Sequence, residues 1–205
     1  MIARRTMTVL AWIVVIYALA LIVVPGVRPP FLRDRIAIVP VAVIAHLAGA
    51  AIALALGPFQ FDPDRRARAI ARHRWTGRAY LIGVAIGGIS GLVLARISQG
   101  GVVAHLGFGA LGILWLTTAG MAYVRIRAGD RAAHRRWMIR NYALTFAAVT
   151  LRIYLPASLL AGIPFDAGYP AISWLCWVPN LVFAEAWIAR RPEAEVTVAS
   201  ESSPA

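Results

Sequence analysis

Histidine is the residue type in this chain with the most versatile chemistry, because a neutral imidazole binds metal ions and exchanges protons near neutral pH. The chain has four histidines, and each lies inside or beside a long apolar run. They are His46, His73, His105 and His134. The distance from His46 to His73 is similar to that from His105 to His134. This repeated placement predicts two ligand pairs.

Two of the histidines open a repeated motif. Residues 73–80 have the sequence His-Arg-Trp-Thr-Gly-Arg-Ala-Tyr, and residues 134–142 have His-Arg-Arg-Trp-Met-Ile-Arg-Asn-Tyr. Both copies contain Trp-x-x-Arg-x-Tyr, so Arg78 corresponds to Arg140. Basic and aromatic residues before an apolar run are typical of a helix end at the headgroup level of a membrane. Anchoring accounts for these residues but leaves the histidines unexplained.

The composition predicts an all-α integral membrane protein, because 60% of the residues are hydrophobic and only 15% are charged. Several apolar runs approach the roughly 20 residues that cross a bilayer as a helix. Six membrane helices are predicted at about residues 7–24, 36–57, 75–97, 102–124, 137–160 and 171–189. Helices two to five should form a four-helix bundle of two similar hairpins. Glycines at positions 83, 87 and 91 favour close helix packing, and the alternative is that they leave room for a flat ligand. The polar residues 190–205 predict a disordered tail.

The basic charge is distributed along the chain as in a membrane protein. The net charge is +12, but the arginines lie at the ends of apolar runs, so nucleic acid is not an expected partner. With the amino terminus inside, sixteen of the 21 basic residues fall on one side of the membrane. Cytoplasmic segments carry such an excess. Both termini and both motif copies are therefore predicted to be cytoplasmic, in contact with membrane lipids.

The predicted depths of the histidines suggest how they pair. His73 and His134 lie together at the cytoplasmic ends of helices three and five, whereas His46 and His105 lie further out on helices two and four. Two imidazoles on facing helices of a bundle could take both axial positions of a haem iron. Two such haems would form an electron path across the bilayer. The alternative is that the histidines are packing residues or headgroup contacts.

Residues 73–80, the Gly100-Gly101 turn and residues 134–152 resemble a family of bacterial multi-pass membrane proteins, a domain of unknown function. The resemblance covers roughly residues 46–156 and implies a bacterial cytoplasmic membrane. More distantly, the histidine placement is similar to that of the ascorbate-type di-haem transmembrane cytochromes b. In those proteins helices two and four hold one haem, and helices three and five hold the other. This resemblance implies haem b ligation by His46 with His105 and by His73 with His134.

Arg152 falls near the middle of helix five, where a permanent charge requires a partner or a water-filled cavity. One interpretation is a clamp between helices, with Asn180 at a comparable depth and Glu185 closer to the cytoplasm. The other is an anion inside the bundle, such as a haem propionate or an oxygen of a quinone or lipid. Arg78, Arg140 and Arg152 are the candidate residues for that role.

Two functions from different classes follow. The first is a b-type di-haem transmembrane electron carrier, with a quinone or another redox molecule as its partner. The second is a haem-free membrane scaffold, or a protein that binds lipids or small molecules without redox activity. The chain has no glycine-rich phosphate loop and no His-Glu-x-x-His pair, so an enzyme acting alone on a soluble substrate is not expected.

Overall fold

The computed structural model describes residues 2–61 and 69–190, and these residues form helices joined by short turns, with no strand. The all-α prediction is confirmed. The α-helices are α1 (Ile2–Val23), α2 (Pro30–Ile38), α3 (Pro40–Gln60), α4 (Ile70–Ala95), α5 (Gly101–Arg127), α6 (Arg131–Thr145), α7 (Ala147–Leu160), α8 (Phe165–Leu175) and α9 (Val178–Ala189). A short 3₁₀ helix, Pro25–Val27, precedes α2.

These helices give six segments that are long and apolar enough to cross a membrane, as predicted. Four are single helices, α1, α3, α4 and α5, while α6 continues into α7 and α8 continues into α9. Large apolar side chains cover the outside of the molecule, and Val41 and Leu160 are 81% and 89% exposed. Such a surface is stable in lipid rather than in water.

The predicted bundle of helices two to five is formed by α3, α4, α5 and the α6–α7 segment. Consecutive helices pack antiparallel, and α6 returns to contact α3, which closes the ring. Outside this ring, α1 packs against α3 and α7, while α8 and α9 pack against α5 and α6. The end of the bundle where α4 and α6 begin is called the basic end below. The end where the turn at Ser98 joins α4 to α5 is called the Ser98 end.

Close packing of α3 against α4 depends on glycine. A methyl group added to Gly49 would lie 2.6 Å from the Gly87 amide nitrogen and 2.7 Å from the Gly83 carbonyl oxygen. Both are backbone atoms, so no side chain could move aside. Gly91 faces the ring of His46 instead. Small residues thus let the two helix backbones approach closely in an environment where packing holds helices together.

Helix boundaries differ from the prediction where prolines and polar residues decide them. The second predicted helix was expected to begin at residue 36, but α3 begins at Pro40, because a residue before proline is disfavoured in the α conformation. Val39 accordingly has φ −138° and ψ 64°. At the basic end the helices begin earlier than expected, and Asp130 caps α6 by accepting a hydrogen bond of 2.8 Å from the Ala133 amide. The repeated motif is therefore helical throughout, rather than partly loop.

Two membrane segments are interrupted within their length. The regular helix breaks at Phe146, between α6 and α7, and again around Trp177, between α8 and α9. Pro179 contributes to the second break, since it has no amide hydrogen to donate to the preceding turn. Of the predicted disordered tail, residues 191–205 lie outside the described residues.

Candidate functional site

A cavity of about 290 Å³ lies inside the bundle toward the Ser98 end. Its volume is at the lower limit of small-molecule sites, which measure roughly 300–1,000 Å³. Most of its wall is apolar, with Leu47, Leu94, Phe108, Leu111 and Leu151 among the lining residues. The ionisable and polar side chains along it are those of Arg35, His46, Ser98, Gln99, Trp115, Thr145, Arg152, Tyr169 and Cys176. Few polar groups in an apolar wall are typical of a ligand site.

His46 projects from α3 and is held against α4. Its Nδ1 lies 2.8 Å from the carbonyl oxygen of Gly87. Because a carbonyl only accepts, Nδ1 carries the proton, and Nε2 of the neutral ring is left as an acceptor. The ring lies over Gly91, where an added methyl group would be 3.1 Å from Nδ1. Glycine therefore makes the space that this histidine occupies on the cavity wall.

Arg152 is the charged group deepest in the cavity wall. Its Nη1 donates a hydrogen bond of 2.8 Å to the Ala148 carbonyl, one turn back on α7. Its Cζ lies 5.6 Å from the centre of the Tyr17 ring on α1. Its Nε is buried and has no hydrogen-bond partner. The guanidinium, with five N–H donors, is thus incompletely satisfied in an apolar environment.

Neither predicted clamp partner reaches Arg152. Asn180 instead bonds to Thr150 at 2.9 Å and to the carbonyls of Ala143 and Cys176. Glu185 pairs with Arg140 near the basic end. Among the described residues no carboxylate pairs with Arg152. The clamp interpretation is wrong for these two residues.

A buried polar network lies where the cavity ends. The Tyr80 hydroxyl on α4 donates to Asn141 Oδ1 at 2.6 Å and lies 2.9 Å from Thr145 Oγ1. The Asn141 amide donates to the Trp115 carbonyl and to Thr118 Oγ1, both at 2.7 Å. Trp115 Nε1 donates to Thr145 Oγ1 at 2.8 Å. The network joins α4, α5 and α6, and Trp115 and Thr145 belong to the cavity wall.

The other histidines do not line the cavity. His105 Nε2 donates to the Ser98 carbonyl at 2.9 Å, and His134 Nδ1 donates to the Ala122 carbonyl at 2.8 Å. His73 lies in the first turn of α4, at the basic end. Gly87 and Ala95 are eight residues apart on α4, which corresponds to roughly 12 Å along the helix axis, and Ser98 lies beyond Ala95. His46 therefore bonds to a carbonyl within α4, whereas His105 bonds to a carbonyl in the turn after α4.

Arg78 and Arg140 have the same local contact in the two motif copies. Each guanidinium carbon lies 4.8 Å from the ring centre of the tryptophan three residues before it, Trp75 or Trp137. Arg140 is also held by Glu185, at 2.6 Å and 2.8 Å. Neither arginine lines the cavity. Of the seven predicted site residues, the structure brings only His46 and Arg152 together in this cavity.

Sequence reasoning missed the polar residues that complete the site. Asn141 occupies a variable position of the motif, and the predicted site residues do not include Thr145, Trp115 or Arg35. A signal was present for Asn141, because an amide within an apolar membrane segment needs partners. No such signal marks Trp115 or Thr145, whose residue types are common in membrane helices.

Comparison with known proteins agrees with the fold. Residues 43–188 match the model of a family described as predicted membrane protein, DUF2306, and this match spans more than half of the chain. The chain belongs to the DUF2306 family. No curated protein and no solved structure matches it. The DUF2306 region begins within α3 and ends within α9, so it contains His46, Arg152 and the polar network, whereas Tyr17 and Arg35 precede it.

Proposed function

We propose that this protein binds a small amphiphilic molecule in the cavity between its membrane helices. One observation supports the proposal. The wall of an otherwise apolar cavity contains the incompletely paired guanidinium of Arg152 and the imidazole of His46, whose Nε2 can accept a hydrogen bond. Unsatisfied donors are costly in a medium of low dielectric constant. A ligand with a polar head and an apolar body would satisfy Arg152 and fill the space beside it.

The membrane itself is a source of such ligands. We propose that the protein lies in a bacterial cytoplasmic membrane with its basic end and both termini in the cytoplasm, following the distribution of arginines. The cavity then lies in the outer half of the bilayer. Ser98, Gln99 and Arg35 line it at the Ser98 end, so a molecule could enter from the outer leaflet or the outer aqueous phase.

Blocking the cavity tests the proposal. Leu111→Trp places a large ring on a lining position of α5, whereas Leu106→Trp places the same ring on a face that is 60% exposed and turned away from the cavity. The probes are 1-decanol and decanoate, added to protein in phosphatidylcholine nanodiscs. We expect at least one probe to raise the unfolding temperature in a saturable manner, since a ligand at 100 times its Kd stabilises by about 2.7 kcal/mol.

The Leu106→Trp protein should keep this response, and the Leu111→Trp protein should lose it. A probe effect that never saturates, or one that is equal in both variants, would indicate general partitioning into the lipid and would overturn the proposal. Mass spectrometry of the organic extract of the purified protein then identifies the molecule retained from the cell.

Haem-based electron transfer, the other function expected from the sequence, stays a prediction. It is favoured by one observation, that Nδ1 of His46 and of His134 donates to a backbone carbonyl, as in histidines that ligate a metal through Nε2. The cavity is lined by only one histidine of the two predicted pairs, His46. Protein purified from haem-replete cells distinguishes the two functions. A Soret band in the unmodified protein that is lost in the His46→Ala variant supports haem binding. If the unmodified protein has no Soret band and binds the probes, the amphiphile site is supported instead.

A further inference from the structure

We infer that the ligand of this cavity is an amphiphile with a singly charged oxyanion head, bound by Arg152. The inference rests on the proposed function and specifies the ligand class. The cavity wall contains two arginines, Arg152 and Arg35, and no aspartate or glutamate among the described residues. The wall is therefore positive. A guanidinium stays protonated even in apolar surroundings, so its charge cannot be removed by loss of a proton.

The donors of Arg152 fit an oxyanion better than a neutral group. Nη1 is used once, by the Ala148 carbonyl, and Nε has no partner. Guanidinium donors lie in a fixed plane and bind two oxygens of a carboxylate or phosphate side by side. The face of the Tyr17 ring, 5.6 Å from Cζ, attracts the charge, but Tyr17 does not accept a hydrogen bond from Nε. The incompletely paired guanidinium on the cavity wall therefore favours an anionic oxygen as its partner.

The head should carry one charge and the body should be apolar. One guanidinium neutralises one negative charge, and a dianion would leave a second charge in the apolar wall, which is costly. Beyond Arg152 the lining consists mainly of apolar side chains, including Phe108, Leu111 and Leu151. These side chains fit an alkyl chain or a ring. Arg35 is partly buried and lies on the short helix α2, before the residues that match the DUF2306 model. It gives the cavity a positive group near its entrance.

Two sources can supply this chemistry, a free fatty acid and an anionic lipid. The test therefore uses two matched pairs of probes in phosphatidylcholine nanodiscs. The first pair is decanoate and 1-decanol, and the second is dihexanoyl-phosphatidylglycerol and dihexanoyl-phosphatidylcholine. Hydrogen bonds to charged groups contribute about 1.5–3 kcal/mol, and each 1.4 kcal/mol corresponds to a factor of about ten in Kd. We expect the anion of at least one pair to bind at least tenfold more tightly than its uncharged or zwitterionic counterpart.

The Arg152→Gln variant should lose this preference while still binding 1-decanol. Arg152→Lys keeps the charge without the planar donors, so it should retain a smaller preference. The control is Arg33→Gln, which removes an exposed arginine of α2 that does not line the cavity, and it should leave the preference unchanged. If the Arg152→Gln protein does not fold, the Arg152→Lys variant provides the test, because a preference equal to that of the unmodified protein would then contradict the role of the planar donors.

The outcomes separate this inference from the proposed function. Equal affinities for charged and uncharged probes, with binding still blocked by Leu111→Trp, would overturn the anion assignment and keep the binding site. A preference that survives in Arg152→Gln but disappears in Arg35→Gln would place the head at the entrance, and it would also overturn the assignment to Arg152. If no probe binds in a saturable manner, both proposals are wrong. The stronger of two binding anions identifies the source.

Discussion

At the scale of single residues, Asn141 makes three side-chain hydrogen bonds in the buried polar network. It is completely buried and bonds to Tyr80, to Thr118 and to the Trp115 carbonyl. An unpaired polar group is costly in the interior of a membrane bundle, and these bonds pair the side chain of Asn141. Asn141 therefore fixes the relative positions of α4, α5 and α6 behind the cavity.

Replacing Asn141 by leucine should destabilise the protein, because the side chain keeps a similar volume but loses all three hydrogen bonds. Hydrogen bonds between membrane helices contribute about 0.6 kcal/mol each on average, so we expect a loss on the order of 2 kcal/mol in the free energy of unfolding. Unfolding by sodium dodecyl sulfate in mixed micelles measures it. Tyr80→Phe removes only the hydroxyl bonds and should cost about half as much. No loss in Asn141→Leu would show that these bonds contribute nothing.

The sequence allowed the residue types of the site to be predicted but not their partners. His46 and Arg152 were selected because ionisable groups inside membrane helices need an explanation, and both line the cavity. Pairing depends on the rotation of each helix about its axis, and periodicity does not fix that rotation when nearly all faces are apolar. For this reason depth alone makes Glu185 a candidate partner of Arg152, whereas in the structure Glu185 binds Arg140.

At the scale of the helices, α3 and α4 are in close backbone contact. Gly49 meets the backbone at Gly83 and Gly87, so that contact requires glycine on both helices. The cavity depends on it, since His46 reaches the Gly87 carbonyl only while the two backbones stay in this register. The glycines were predicted to serve packing from their spacing alone. The same spacing could not show that Gly91 serves the histidine instead.

Gly49→Ala should separate α3 from α4, because its added methyl group meets backbone atoms that cannot rotate away. Overpacking of this kind costs about 1–3 kcal/mol, and we expect such a loss of stability together with weaker probe binding in the cavity. Gly120→Ala on α5 is the matched control, because an added methyl group there has no atom within 4 Å. It should be neutral or stabilising, given the better helix propensity of alanine. Equal stability of the two variants would contradict the packing argument.

At the scale of the whole molecule, the two motif copies give similar anchors and different interiors. Each copy stacks an arginine on a tryptophan at the basic end. Tyr80 then enters the polar network, whereas Tyr142 packs between Gly57 and the ring of Phe61, with its buried hydroxyl lacking a partner. A shared Trp-x-x-Arg-x-Tyr therefore corresponds to a shared arginine–tryptophan contact. It does not predict a shared site, because the neighbouring helices differ.

The distribution of arginines between the two ends makes a prediction about orientation. Short cytoplasmic segments retain positive charge, so the basic end should face the cytoplasm and the Ser98 end, with the cavity, should face outward. Labelling of single cysteines in intact cells by a membrane-impermeant maleimide tests this orientation. The natural cysteine, Cys176, is buried and can be replaced by alanine to give a suitable background.

In that background, Gln99→Cys places a thiol at an exposed position of the Ser98 end, and Ala128→Cys places one at an exposed position of the basic end. We expect Gln99→Cys to be labelled in intact cells and Ala128→Cys only after the membrane is permeabilised. The reverse pattern would put the cavity in the cytoplasmic half of the bilayer, where its ligand would have to come from the inner leaflet. Labelling of both in intact cells would contradict the six spans, because α5 joins these two positions with a single crossing.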